Sequence, residues 1–180
     1  MDGNLESEIK LSVAGPVPAR EALARVGARP VRPRHFEDNV LLDDPSRSLS
    51  SSGRLLRLRR TGDGSVLTFK GPRRIVEGIK SREEIEAAVA DADALLAIFA
   101  GLGLGPVFRY QKYRETYAWE DVEIVVDETP IGTFFEIEGP LAGIHRAAAA
   151  LGQGPNDYVT DSYAGLFLAS GGTGDMIFPK

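Results

Sequence analysis

Glu6-Ser7-Glu8-Ile9-Lys10 carries a charged residue at every second position. In an extended strand successive side chains point to opposite faces, so Glu6, Glu8 and Lys10 share one face while Leu5, Ser7, Ile9 and Leu11 take the other. Taken alone, this is a half-exposed strand with its charges in water. The same spacing returns at Arg57/Arg59, Arg82/Glu84/Glu86, Lys112/Arg114 and Glu136/Glu138, each inside a stretch that reads as a strand. Five such faces in one chain argue that the ionic sides meet one another rather than meeting solvent separately.

The chain has 180 residues, enough for one domain with a sizeable core, and no low-complexity linker divides it. One domain over residues 1–170 is expected, followed by a flexible C-terminal tail over 171–180. The net charge of -5 argues against a general nucleic-acid or anionic-membrane binder, so any basic site must be local and shaped. With no cysteine, disulfides, thiolate metal sites and cysteine nucleophiles are excluded. No apolar run approaches the ~18 residues of a membrane span, and the acidic N-terminus lacks the order of a signal peptide. A cytoplasmic location is the expectation, with room for a homodimer.

Beyond the first strand, Ala19 to Val26 carries a helical pattern ended by Gly27. Val31 to Asp43 alternates loosely around Pro33 and firms into a strand over Phe36 to Leu42. Asp44 to Gly53, with Pro45 and five serines, reads as a loop. Leu55 to Arg60 and Val66 to Lys70 flank the turn Thr61-Gly62-Asp63-Gly64 and form a hairpin. Ile75 to Val89 reads as one strand, although its glutamates also suit a helix. Asp91 caps a helix through Leu102. Pro106 to Trp119, Val122 to Glu128 and Thr133 to Glu138 form a three-strand meander, and helices follow at Ile144 to Leu151 and Ser162 to Ala169. About eight strands, mostly in hairpins with helices between them, predict a mainly β barrel or strongly curved sheet.

If the strands close with ionic faces inward, the lumen receives Glu6, Glu8, Glu84, Glu86, Asp127, Glu136 and Glu138 against Lys10, Arg57, Arg59, Lys70, Arg82, Lys112 and Arg114. Such a set is too costly for a dry core, so the lumen is wet and built for a charged ligand. Clustered carboxylates favour a hard cation, Mg²⁺ or Mn²⁺, and clustered arginines and lysines favour phosphate. A nucleoside triphosphate or inorganic triphosphate, arriving with its metal, satisfies both. His35 and His145 lack metal-ligand spacing, and Trp119, Tyr110, Tyr113 and Tyr117 read as packing residues.

Several motifs then stand in a telling order: Glu6-x-Glu8-x-Lys10, Leu56-Arg57-x-Arg59, Thr68-x-Lys70-Gly71, Arg82-x-Glu84-x-Glu86, Lys112-x-Arg114, Asp127, Gly132-x-x-x-Glu136-x-Glu138 and Ser162-Tyr163 with Leu166. Over residues 5 to 169 this order resembles the CYTH superfamily of class IV adenylate cyclases, thiamine triphosphatases and inorganic triphosphatases. The stretch His35-Phe36-Glu37-Asp38-Asn39 through Asp43 is most similar to bacterial proteins of the class IV cyclase branch. Two features depart: Leu41-Leu42-Asp43 stands where many relatives have Tyr-Phe-Asp, and no lysine lies between Lys112 and Lys180, where thiamine triphosphatases carry one on a late helix.

The resemblance implies an eight-stranded antiparallel β-barrel, the triphosphate tunnel fold, with peripheral helices. It implies that Glu6, Glu8, Glu136 and Glu138 hold one or two divalent metals, with Asp127 completing or orienting that shell. Lys10, Arg57, Arg59, Lys70, Arg82, Lys112 and Arg114 would bind the phosphate chain. Glu84 and Glu86 would either join Glu6, Glu8 and Lys10 in catalysis, binding metal through water, or hold an arginine in place. The substrate is expected to be ATP, inorganic triphosphate or another organic triphosphate. The reaction is then cyclisation of ATP to cyclic AMP and pyrophosphate, or hydrolysis of a phosphoanhydride; a non-catalytic polyphosphate binder is a third reading.

Overall fold

The computed structural model describes residues 5–179; Met1 to Asn4 and Lys180, parts of the expected domain and tail, lie outside them. In order, the elements are β1 (Leu5–Val13), α1 (Pro16–Arg25), β2 (Arg29–Asp43), α2 (Ser48–Ser51), β3 (Leu55–Thr61), β4 (Gly64–Lys70), β5 (Arg74–Val76) and β6 (Ile79–Val89). They continue with α3 (Ala92–Gly101), β7 (Gly105–Trp119), β8 (Val122–Thr129), β9 (Gly132–Glu138), α4 (Leu141–Ala150) and α5 (Tyr163–Ala169). The sheet runs β1-β9-β8-β7-β2-β3-β4-β6, and a β1–β6 pairing closes it. The result is the expected eight-stranded antiparallel barrel, with β5 as an extra strand beside β6.

Alternation along each strand divides the barrel into a polar lumen and an apolar outer wall. On β1, Ile9 and Leu11 point outward, are 1% and 0% exposed, and pack against Ala19 and Leu23 of α1 and Ile144, Ala147 and Ala148 of α4. Ile124 and Val126 of β8 and Ile137 of β9 complete this cluster. Burying each large aliphatic side chain contributes about 1.5–3 kcal/mol, so the fold is held from outside the barrel and the lumen is left for ions.

Four expectations are corrected. The stretch from Ile75 is not one strand: Glu77 (φ 53°) and Gly78 (φ 77°) make a tight turn between β5 and β6, because two successive left-handed residues suit the twist of a two-residue hairpin. The second strand starts earlier than expected, at Arg29, and its prolines are absorbed at register shifts between Pro30 and Arg32 and between Arg32 and His35, where a missing N–H costs no ladder bond. The segment after α5 is not loose. Met176 is 1% exposed and exchanges backbone hydrogen bonds with β7, its N–H to Arg109 O at 3.0 Å and its carbonyl to Gln111 N–H at 2.9 Å. Phe178 packs on Tyr113 with ring centroids 5.3 Å apart. The serine-rich loop also contains the short α2, whose segment is gathered by the Asp43 carboxylate accepting from the N–H groups of Leu49 and Ser50.

Candidate active site

Strand register decides which charges meet. Glu8 stands opposite Glu138 and Lys10 opposite Glu136 across β1 and β9, while Glu6 and Glu8 stand opposite Arg82 and Lys80 across β1 and β6. Lys70 faces Glu84 and Thr68 faces Glu86 across β4 and β6. These inward residues surround a cavity of about 270 Å³ whose lining includes eight cationic and seven acidic side chains. Every sequence-predicted site residue except Asp127 contributes to that lining.

The charges are interlocked. Lys10 Nζ lies 2.9 Å from Glu136 and 3.4 Å from Glu8, and Glu8 also pairs with Lys80. Arg57 Nη2 lies 3.7 Å from Glu84 and 3.5 Å from Glu86, and Lys70 pairs with Glu84. Arg82 reaches sideways: its Nε donates to Gly71 O at 2.9 Å and its Nη2 to Gly53 O at 3.2 Å, so it ties two loops to the rim as well as lining the cavity.

Asp127 differs from the expectation. It is fully buried behind the lining and accepts from Lys112 Nζ at 2.9 Å, Arg114 Nε at 2.7 Å and Tyr163 Oη at 2.8 Å. Its register partner Arg114 across β7 and β8 places it among the cations rather than among the other acids. The carboxylate thus aims two cations into the cavity. Tyr163, at the start of α5, closes this side of the lumen, with Lys10 Nζ 5.1 Å and Lys112 Nζ 5.5 Å from its ring centroid. The helix holding it is capped by Ser162, whose hydroxyl accepts from Gly165 N–H.

The acids respond to these neighbours in two ways. Burial pushes Glu6 up to about 9, helped by the neighbouring carboxylates of Glu84 and Glu138. Burial, then the charge of Glu8, pushes Glu138 up to about 7. For Glu8 and Glu136 burial acts upward too, but Lys10 and the other nearby cations prevail and hold both below the usual carboxylate range. Among the described residues no three acidic side chains are already gathered closely enough to ligate a cation. The donor set nonetheless fits a hard divalent ion, since it is all carboxylate oxygen and Glu6 and Glu138 crowd like charges that a cation would neutralise.

Sequence reasoning missed Glu37, Asn39 and Lys80. Lys80 extends the Arg82-Glu84-Glu86 alternation one step back, a signal available in the sequence. Glu37 is 1% exposed and lies 3.6 Å from Lys112 and 3.8 Å from Arg59. Burial is the largest influence on Glu37 and opposes ionisation, but Lys112, Arg114, Arg59 and Arg57 hold its pKa well below the usual value. Asn39, between the register partners Arg59 and Tyr110, is fully buried. Nδ1 of His35 lies 3.0 Å from Pro33 O and its Nε2 3.4 Å from Glu37 Oε1, while Nδ1 of His145 lies 2.9 Å from Tyr158 Oη. The aromatic residues also pack: Trp119 Nε1 donates to Val26 O, and Tyr110 joins Phe134, Tyr163 and Met176 in a cluster.

A second cavity of about 550 Å³ adjoins the first, with Leu55 bordering both. Leu41, Leu42, Val107, Phe108, Ala164 and Leu168 give it apolar walls, and Arg47 and Arg54 stand in its lining. No helix among the described residues is long and apolar enough to cross a membrane.

Comparisons with known proteins agree with this architecture. A candidate adenylate cyclase of Methanocaldococcus jannaschii is 30% identical over 143 residues, covering 79% of this chain and 81% of that protein. The structure of a candidate adenylate cyclase from Vibrio parahaemolyticus superposes with a TM-score of 0.80 at 17% identity, covering 93% of this chain and 99% of that one. A Hippeastrum protein, a candidate adenylyl cyclase said to reveal a dominant triphosphatase activity, gives a TM-score of 0.70 at 19% identity over 93% of this chain and 97% of its own. The profile of the CYTH domain matches residues 4–163, and with the closed barrel and its ionic lumen this makes the chain a member of the CYTH family.

Proposed function

We propose that this protein is a divalent-metal-dependent enzyme that binds a triphosphate in the barrel lumen and acts, in the manner of a class IV adenylate cyclase, on ATP to give cyclic AMP and pyrophosphate. The observation that carries the reading is the lining of the 270 Å³ cavity, where cations from five strands converge on one space that Glu6, Glu8 and Glu138 also line. Lys10, Arg57, Arg59, Lys70, Lys112 and Arg114 would bind and straighten the phosphate chain, with Asp127 and Glu37 orienting the cations from behind. Phosphoryl transfer needs mainly such positioning and charge neutralisation. Glu6, Glu8, Glu136 and Glu138 would hold Mg²⁺ or Mn²⁺, which would supply positive charge to offset that of the leaving pyrophosphate. In the cyclisation the ribose 3′-oxygen bonds to the α-phosphorus, the bond from that phosphorus to the β-bridging oxygen breaks with its electron pair going to pyrophosphate, and the hydroxyl proton passes to water in the lumen. The apolar cavity beyond Leu55 supports an organic group on the substrate.

Hydrolysis of a triphosphate is the second reading, favoured by the dominant triphosphatase activity attributed to the Hippeastrum relative of the same fold. Water in place of the 3′-oxygen needs the same clamp and less organisation around the base. The deciding experiment is incubation with ATP, inorganic triphosphate and thiamine triphosphate under Mg²⁺ and Mn²⁺ with identification of products. Cyclic AMP and pyrophosphate without ADP are expected. ADP with orthophosphate, or much faster cleavage of inorganic triphosphate than of ATP, would replace cyclisation by hydrolysis.

A further inference from the structure

Glu86 combines exposure with contacts to two arginines of the lumen. Its side chain is 40% exposed, against 5% for Glu84 and 12% for Glu136. One carboxylate oxygen, Oε1, accepts from Thr68 Oγ1 at 2.6 Å and lies 3.5 Å from Nη2 of both Arg57 and Arg59. Arg57 Nη2 also donates to Thr68 Oγ1 at 3.2 Å. This convergence is set by register, because Arg57, Thr68 and Glu86 form one row across β3, β4 and β6. Two guanidinium groups and a hydroxyl meeting at one anionic oxygen make a donor set suited to a phosphoryl oxygen. Glu84 cannot leave this wall, being buried between Lys70 and Arg57, whereas the exposed Glu86 has solvent to turn into.

We propose that Glu86 is an internal anion that holds the phosphoryl subsite of Arg57, Arg59 and Thr68, and that a ligand must displace it to enter. The proposal rests on the reading of the lumen as a triphosphate site. Its consequence is a charge threshold. A singly charged ligand offers the two guanidinium groups little more than the resident carboxylate does, while a terminal phosphoryl group with nearly two charges and three oxygens offers more. Glu86 is thereby a specificity residue that screens ligands by charge, and neither a metal ligand nor a participant in bond-making.

The test is calorimetry with inorganic triphosphate and with dimethyl phosphate, a singly charged diester, in buffer containing EDTA, on the wild type, Glu86→Gln and Glu83→Gln. Glu83 is an exposed acid on the opposite face of β6, so it controls for the change in overall charge. The expected result is triphosphate binding about three- to tenfold tighter in Glu86→Gln, the scale of two partly exposed ion pairs removed from competition. Dimethyl phosphate should gain by a larger factor, so that discrimination between the two anions falls. In turnover assays KM should fall with no rise in kcat. Unchanged or weaker triphosphate binding in Glu86→Gln, or an equal gain in Glu83→Gln, overturns the displacement model while leaving the triphosphate reading intact. Wild-type protein that binds no triphosphate, with or without metal, removes that reading and this inference together.

Discussion

Glu138 lines the lumen and Glu37 lies behind the cations that line it, and their neighbours drive their protons in opposite directions. Glu138 lies near Glu8, and burial plus that charge raise it from 4.5 to about 7. Between those values the folded protein keeps a proton that the unfolded chain has released, so this group makes stability fall as pH rises through the window and level off above it. Denaturant titrations of the metal-free protein at pH 5 and pH 7.5 should therefore show a smaller loss of stability in Glu138→Gln than in the wild type. An equal loss in both would place the titration elsewhere. Glu37 has the reverse sign: depressed by Lys112 and the arginines after burial is overcome, it contributes stability above its unfolded value of 4.5 and loses it as pH falls below. Glu37→Gln leaves Lys112 and Arg59 short of a buried counter-ion and should cost about 3–5 kcal/mol at neutral pH. The gap from wild type should narrow in acid, and a cost under 1 kcal/mol would mean that the cations need no such support.

Elements are joined to the barrel by contacts that can be probed singly. The strand-like segment at Met176 seals the cluster of Tyr110, Phe134 and Tyr163 beside the closed side of the lumen. Met176→Ala should cost about 2–5 kcal/mol in urea unfolding, the range for truncating a buried side chain of this size. A negligible change would show that the segment detaches freely. On α4, a Cβ added to Gly143 would lie 2.6 Å from Asp121 Oδ1 and 2.8 Å from Val122 Cγ1. The half-exposed Asp121 can turn toward solvent at the cost of a surface ion pair with Arg146, but Val122 is buried in the wall and cannot withdraw cheaply. Gly143→Ala should lower stability by about 1–3 kcal/mol despite the better helix propensity of alanine, which a melting curve would detect.

At the scale of the whole molecule, apolar packing outside the barrel holds together a lumen whose charges are only partly satisfied. Ligand binding and folding are therefore linked. Inorganic triphosphate with Mg²⁺ or Mn²⁺ at a hundred times its dissociation constant should add about 2.7 kcal/mol to stability, read as a rise in melting temperature that grows with ligand concentration. Sulfate at matched ionic strength is the control. No rise with any triphosphate tested would point to another class of ligand.

Alternation is a local property of a strand, and for that reason the ionic faces of β1, β3, β6, β7 and β9 and the meander from β7 to β9 were legible in the sequence alone, as was the cap residue Asp91 from its own local signal. The composition of the lumen was legible with them, because once those strands close, the residues at period two must face inward. Which acid meets which base was not. Glu8 against Lys80 and Glu138, Asp127 behind Lys112 and Arg114, and Glu37 beneath Arg59 all depend on register between strands distant in sequence. The turn at Glu77 and Gly78 was hidden by the continuous run of strand-forming residues around it, and the order of the last segment by its glycines. Met176 is fixed there because the barrel and α5 first build the apolar cleft it fills, and a contact made by that assembled surface has no local periodicity to announce it.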